Sequence, residues 1–395
     1  MSRLWDRGEP LDSLVLRYTA GEDHLLDERL VAYDCDASSA HAAMLHASGF
    51  LSSADLAALQ KALASLKDSH AKGDWQVTLE DEDCHTAIEN RLVGIVGEPG
   101  RAIHLGRSRN DQVLAALRLY LKDALKQLAD LANEFADELQ GIAKRDGELA
   151  LPGYTHMQRA MPTTVALWAQ GFAAEIRDDA IGLKTARRRA DKNPLGSAAG
   201  YGIPVLTLSR EHTTKALDFS ETHTPVTAVQ LSRGKAEATA LFEVALLAQD
   251  LGRLASDLCL YATSEFGFVK LDSSITTGSS MLPQKRNPDL FELVRGRTSE
   301  ASAAIIEVLG ITAKMPSGYH RDMQLIKKPL FRGLDAVYDS TRLMQHALKH
   351  VSFDSDRMQA ALEPAIYTAA KAYELVRDQK IPFREAYQRV RGTKK

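Results

Sequence analysis

DQVLAALRLYLKDALKQLADLANEFADELQGIAKRDG, residues 111–147, contains no proline, and its apolar side chains Leu114, Leu117, Leu121, Leu125, Leu128, Leu131, Phe135, Leu139 and Ile142 recur at steps of three and four. That spacing puts them on one stripe of a helix. The run is well beyond the usual length of about eleven or twelve residues. A second run follows Pro162, which suits a first helical turn, and carries Val165, Trp168, Phe172, Ile176 and Leu183 along one face. A third extends from Pro225 through Leu241, Val244, Leu247, Leu251, Leu254, Leu258 and Tyr261, with alanines filling neighbouring positions. A fourth starts near Pro288 and passes Ile305 and Ile306, and a fifth covers roughly Pro329 to His350.

Period-two segments are short and few, so the pattern predicts an all-α protein with a central bundle of long helices. The expected organisation is an N-terminal helical domain over 1–106, the bundle over 107–357 and a short C-terminal helical domain over 358–395. Apolar and alanine positions on more than one helix face predict burial against another subunit, and hence an oligomer.

Composition narrows the functional classes. The chain has 395 residues, 45% hydrophobic and 26% charged, the proportions of a soluble globular protein able to bury a large core without cross-links. Its 49 lysines and arginines nearly cancel 52 aspartates and glutamates, leaving a net charge of -3. No basic field is present to hold nucleic acid nonspecifically. Cys35, Cys84 and Cys259 lie far apart and form no CxxC pair, so neither a disulfide framework nor a zinc knuckle is expected. The opening residues show no apolar leader segment and no apolar run is long enough to span a membrane, which predicts a cytoplasmic protein.

Four polar segments lie between the helical runs. HLGRSRNDQ (104–112) gathers Arg107, Ser108, Arg109, Asn110 and Asp111 at the mouth of the first long helix, where free amides and the helix dipole add to the guanidiniums in attracting an anion. GYTHMQRAMP (153–162) places Thr155, His156, Gln158 and Arg159 just before a helix, and a histidine transfers protons near neutral pH. TTGSSMLPQKRNPD (276–289) crowds Ser279, Ser280, Gln284, Lys285, Arg286 and Asn287 between a glycine and two prolines, as in a shaped loop that closes as a lid. GYHRDMQLIKKP (318–329) offers Tyr319, Arg321, Gln324 and Lys327.

Singly, each segment has a plain structural explanation: a capped helix start, a hydrogen-bonded histidine, a connection or a surface turn. Together they supply cations, amides, hydroxyls and a histidine without a metal cluster or a phosphate-cradling glycine loop, which points to a polyanionic substrate. His346 and His350 share a helix face but lack a third metal ligand nearby.

GSSMLPQKRNPD resembles the signature loop of the fumarase/aspartase superfamily, commonly GSSxMPxKxNP. HLGRSRNDQ, GYTHMQRA and YHRDMQ are similar to segments of its argininosuccinate lyase branch, as is EDEDCHTAIENRL at 80–92. The similarity runs in order along nearly the whole chain. It implies an all-α homotetramer with active sites shared between subunits, and the reversible splitting of argininosuccinate into arginine and fumarate, the last step of arginine biosynthesis, without metal or organic cofactor.

The same resemblance implies the roles. Ser279 is the base that takes a proton from the succinyl carbon, Lys285 and Asn287 stabilise the resulting carbanion, and His156, oriented by Glu292, assists departure of the guanidino nitrogen. Arg109, Asn110, Thr155, Tyr319, Gln324 and Lys327 match positions that bind the substrate's carboxylates and amino acid end. Ser280 adjoins the expected base. The chain departs from the pattern at Leu105, Met281, Leu282 and Arg286, in TAVQLSRGK (227–235) where SxRD is usual, and around Glu22 and Asp23 where a serine is expected. The alternatives are another succinyl elimination, such as adenylosuccinate cleavage, and an inactive structural homologue.

Overall fold

The computed structural model describes residues 12–392; residues 1–11, where the reading of a missing leader falls, lie outside them. Five long helices carry the fold, namely Arg109–Arg145, Val165–Ala190, Lys235–Tyr261, Asp289–Thr312 and Lys327–Leu348. Every residue of the stripe from Leu114 to Ile142 that predicts the first of them is buried. No helix among the described residues is long and apolar enough to cross a membrane.

The chain divides into two compact units, one comprising residues up to Gln127 with Gly182–Glu243 and Ala301–Leu334, the other Leu128–Ile181, Val244–Glu300 and Asp335–Lys395. The consecutive domains 1–106, 107–357 and 358–395 are a different partition. The unit boundary falls inside the long helices, so each of them contributes a segment to both units.

In the first unit, Val31–Ala47, Ser53–Ala71 and Cys84–Val96 pack Leu45, Leu59, Leu63, Ile88 and Leu92 into one core. Ser53–Ala71 starts at a capping box: the Ser52 hydroxyl accepts from the Asp55 N–H at 3.1 Å, and the Asp55 carboxylate accepts from the Ser52 N–H at 3.3 Å. Alanine and glycine let the helices approach closely here. A Cβ on Gly333 would lie 2.6 Å from Leu241 Cδ2 and 3.3 Å from Ala304 Cβ.

In the second unit, Leu128, Phe135, Leu139, Ile176, Val244, Leu251 and Leu258 form the interior. Trp168 donates its indole N–H to Asp257 at 2.9 Å and packs edge-on against Phe353. Tyr261, Phe266 and Phe268 extend the aromatic group. A short antiparallel ladder joins Val269–Leu271 to Val351–Phe353.

Two local expectations change. Pro162 does not open a helix; it lies in the strand Gln158–Thr164, opposite Pro152 of Ala150–Thr155. The β-branched pair Thr163 and Thr164 favours the extended form. Thr164 then starts the next helix by accepting from the Leu167 N–H at 3.2 Å. The run from Pro225 is interrupted: Val226–Leu231 is a separate short helix, and the chain turns at Gly234, with φ +84°, before Lys235–Tyr261 begins. A Cβ at Gly234 would meet Thr312 Cγ2 at 2.5 Å, so a larger residue is excluded twice over.

Replacing Gly333 by valine forces a branched side chain against Leu241 and Ala304. We expect Gly333→Val to lower unfolding stability by about 1–3 kcal/mol in a denaturant titration; an unchanged midpoint would show that the helices separate freely at this crossing.

Candidate active site

The site residues expected from sequence form two groups, one within each unit. In the first unit, Arg109, Asn110, Tyr319, Gln324 and Lys327 line a single cavity of about 320 Å³, together with Asp23, Asp83, Val113 and Arg321. The nine side chains come from four separated stretches of sequence, and the fold brings together all five that were expected in this unit.

Their placement has local causes. Asp83 is the N-cap of Cys84–Val96: one carboxylate oxygen accepts from the Thr86 N–H at 2.8 Å and the Thr86 hydroxyl at 2.7 Å. Its other oxygen pairs with Arg109 at 3.2 Å, and Arg109 also donates to the Thr86 hydroxyl at 2.6 Å. Burial pushes the Asp83 carboxyl up, but Arg109, His85 and the Thr86 donors outweigh it and hold the group below the usual carboxylate range.

Gln324 donates to the carbonyls of Thr19 and Ala20 at 3.0 and 3.3 Å, and accepts from Arg321 at 3.2 Å. Tyr319 lies under the guanidinium of buried Arg233, 5.3 Å from ring centre to Cζ. Lys327 is enclosed, with its ammonium 2.6 Å from Asp27 and 2.8 Å from Asp23. Burial disfavours its charge, yet Asp27 and Asp23 outweigh that and hold it above the usual lysine range.

Asp111 braces the mouth of the Arg109–Arg145 helix. One of its oxygens accepts from the Ser108 N–H at 2.9 Å, and the other from the N–H groups of Gly196 and Ala198 at 2.9 and 2.8 Å. Burial pushes this carboxyl up to about 6, against the pull of those N–H groups and Arg107. Sequence reading places Asp111 at the helix mouth without a role of its own; here it is a buried acceptor that fixes the backbone carrying Arg109 and Asn110.

The second group lies in the second unit. Thr155 and His156 end and follow the strand Ala150–Thr155, at a tight hairpin turn rather than before a helix. His156 and Met157 have φ +52° and +59°. Paired left-handed residues give a hairpin turn whose twist matches its strands. Without glycine that conformation carries strain, a feature that concentrates at functional positions. Both side chains are exposed.

The polar loop is clasped at its base: the Thr277 N–H donates to the Asn287 carbonyl at 3.2 Å, and the Asn287 N–H to the Thr277 carbonyl at 2.9 Å. Asn287 also donates its side-chain amide to the Gly278 carbonyl at 3.4 Å. Above the clasp, the Ser279 hydroxyl oxygen accepts from the N–H groups of Leu282 and Met281 at 3.1 and 3.3 Å, while Ser280 is exposed. Donors aimed at an oxygen favour its charged form.

Lys285, Asn287 and Glu292 line an open groove of about 1200 Å³ with Met157, Asp257, Cys259 and Arg295. Among the described residues no hydrogen bond joins His156 to Glu292; Glu292 instead lies 3.9 Å from Arg295.

Ligand-capable atoms of Asp27, Cys84 and His85 lie within 4.8 Å of one another. They already satisfy each other's surroundings. Asp27 holds Lys327 and the Cys84 N–H, His85 is 3.2 Å from Asp34, and burial together with Asp27 and Asp34 keeps the Cys84 thiol well above its ordinary range, against thiolate ligation.

A family described as "Lyase" matches residues 12–302, more than half of the chain. The argininosuccinate lyase of Sorangium cellulosum is 44% identical over 388 residues, covering 98% of this chain and 90% of the relative. The chain belongs to the argininosuccinate lyase family. The family's enzyme from Thermotoga neapolitana is 39% identical, with coverage of 98% and 97%.

Solved structures share the fold. EDDS lyase in complex with formate has a TM-score of 0.80 at 23% identity, covering 97% of this chain and 76% of its own. The class II fumarase from Schistosoma mansoni has a TM-score of 0.79 at 16% identity, covering 95% and 91%. The long-helix fold expected from the sequence is therefore present.

Truncating Asp111 strands three backbone donors in a dry interior. Asp111→Ala should cost on the order of 3 kcal/mol of stability, read from chemical unfolding. A loss within the ordinary scatter of surface substitutions would mean that water replaces the carboxylate there.

Proposed function

We propose that this chain is an argininosuccinate lyase that reversibly splits argininosuccinate into L-arginine and fumarate, completing arginine synthesis in the cytoplasm. The observation that carries the reading is the convergence of Arg109, Asn110, Tyr319, Gln324 and Lys327 on one cavity. That wall combines cations, amides and carboxylates, which suits a ligand bearing both carboxylates and a cationic amino acid end.

In this reading Ser279 takes the proton from the succinyl carbon next to a carboxylate. An ordinary serine is too weak a base, and the N–H groups of Met281 and Leu282 directed at its oxygen lower the cost of the alkoxide. They also favour Ser279 over Ser280 for the task. The released electron pair moves onto the neighbouring carboxylate, where Lys285 and Asn287 offset the doubled charge. Collapse of that charge expels the guanidino nitrogen, which leaves protonated with help from His156 and forms the fumarate double bond. Thr155, beside His156, contributes a hydroxyl to substrate binding, and Glu292 orients the histidine.

The site is proposed to be shared between subunits of a homotetramer. Two features support this. The two residue groups belong to separate units, and the Asp289–Thr312 helix leaves Leu293, Ile306 and Leu309 exposed, as a helix does when it packs against another copy. Within such an assembly Glu292 reaches a histidine of a neighbouring chain.

Mixing the purified protein with argininosuccinate should generate the ultraviolet absorbance of fumarate, with arginine released in equal amount. A preference for adenylosuccinate would overturn the substrate choice. Ser279→Ala should reduce turnover by about 10²–10⁴-fold with the quaternary state unchanged, and near-normal turnover would remove Ser279 as the base. If sites are shared, co-refolding Ser279→Ala with Asn110→Ala should recover part of the activity that neither variant has alone, whereas no recovery would place each site within one chain.

A further inference from the structure

Two carboxylates line the cavity of the first unit, Asp23 and Asp83, and they differ in what they have left to offer. Both oxygens of Asp83 are engaged, one by the Thr86 donors and the other by Arg109. Asp23 is 8% exposed and uses one oxygen, Oδ2, for Lys327 at 2.8 Å. Among the described residues its Oδ1 accepts no hydrogen bond.

Charge leads to the same residue. Lys327 is shared between Asp23 and Asp27, and Asp27 is fully enclosed with its second oxygen on the Cys84 N–H. One ammonium thus serves two carboxylates, and of the two it is Asp23 that lines the cavity. Burial pushes the Asp23 carboxyl up to about 7 even though Lys327 pulls it down, with Asp27 adding to the rise. Arg233, the other buried cation near this wall, has both Glu237 and Asp23 among its neighbouring charges.

A neighbouring acceptor on the wall is committed. The Gln324 carbonyl oxygen accepts from Arg321 at 3.2 Å. A ligand presenting a primary ammonium to this cavity therefore finds one carboxylate oxygen without a partner, beside a group that a second cation stabilises.

We propose that Asp23 is a specificity-determining residue whose carboxylate receives the α-ammonium of the arginine portion of the substrate, and so selects a free amino acid over its deaminated counterpart. This rests on the argininosuccinate reading above. The sequence signals only that an expected serine is absent near Glu22 and Asp23; the structure shows a carboxylate lining the binding cavity at that point. A site built to bond an N–H group discriminates strongly against a ligand lacking it.

The test compares L-arginine with δ-guanidinovalerate, which has the same chain, carboxylate and guanidinium but no amino group. Calorimetric titration of the full-length parent should show arginine binding at least about tenfold more tightly. Asp23→Asn should erase most of that preference, weakening arginine by about tenfold while changing δ-guanidinovalerate by less than about twofold.

If Asp23→Asn weakens both ligands equally, Asp23 serves only to hold Lys327 and the proposal fails. It fails also if neither ligand is affected, or if the parent itself binds the two alike, a result that needs no variant to fold. Fumarate release from argininosuccinate by the parent is scored separately, so loss of the underlying reading is distinguishable from loss of this one.

Discussion

The ammonium of Lys327, closed off from water between Asp23 and Asp27, is the constraint on which the first unit depends. It joins the start of the described chain to the head of the Lys327–Leu348 helix, and Asp27 passes the connection on to the Cys84 N–H at the start of Cys84–Val96. Taking these charges from water is costly, and their mutual attraction offsets that cost only while all three are present. Removing one partner leaves a buried charge uncompensated, which is far worse than never having built the cluster. The binding cavity thus has an ion cluster as part of its wall, and its shape is coupled to its electrostatics.

Asp111 plays the matching part at the other wall, with backbone as its partner instead of a cation. A single carboxylate gathers N–H groups from Ser108, Gly196 and Ala198, and so fixes the loop around 196–198 against the helix mouth that bears Arg109 and Asn110. Gly196 and Ala198 both lie at positive φ. Local strain in that loop is compensated by the bonds to the carboxylate. Arg109 is held in turn by Asp83 and Thr86, so the groups facing a ligand are positioned before it arrives.

The long helices were legible because one signal dominates them. Leu114 through Ile142 repeat at helical steps for about eight turns, and nothing in the tertiary structure competes. The hairpin at 150–164 was not, because Pro162 and a histidine before an apolar run look the same whether the chain is helical or extended; the informative signs were Thr163, Thr164 and the prolines at both 152 and 162. Gly234 likewise hid a break that shows only when Thr312 is placed beside it.

At the site, the chemistry of Arg109, Asn110, Tyr319, Gln324 and Lys327 was readable from their motifs. Asp23 was not, since its significance comes from which oxygen Lys327 leaves unused. The distinction is general to buried polar groups: residue type is written in the sequence, but satisfaction of each atom is a property of three-dimensional partners.

The clasp between Thr277 and Asn287 insulates the loop tip from the helix that follows it. Because the two ends are tied to each other, a change at a tip residue outside the proposed machinery need not alter where Asp289–Thr312 begins. Lengthening such a closed loop adds little entropic penalty. The inverted order of Met281 and Leu282 and the arginine at 286 are changes of this kind. The tip that carries Ser279 and Lys285 is thereby referenced to a base whose two ends fix each other.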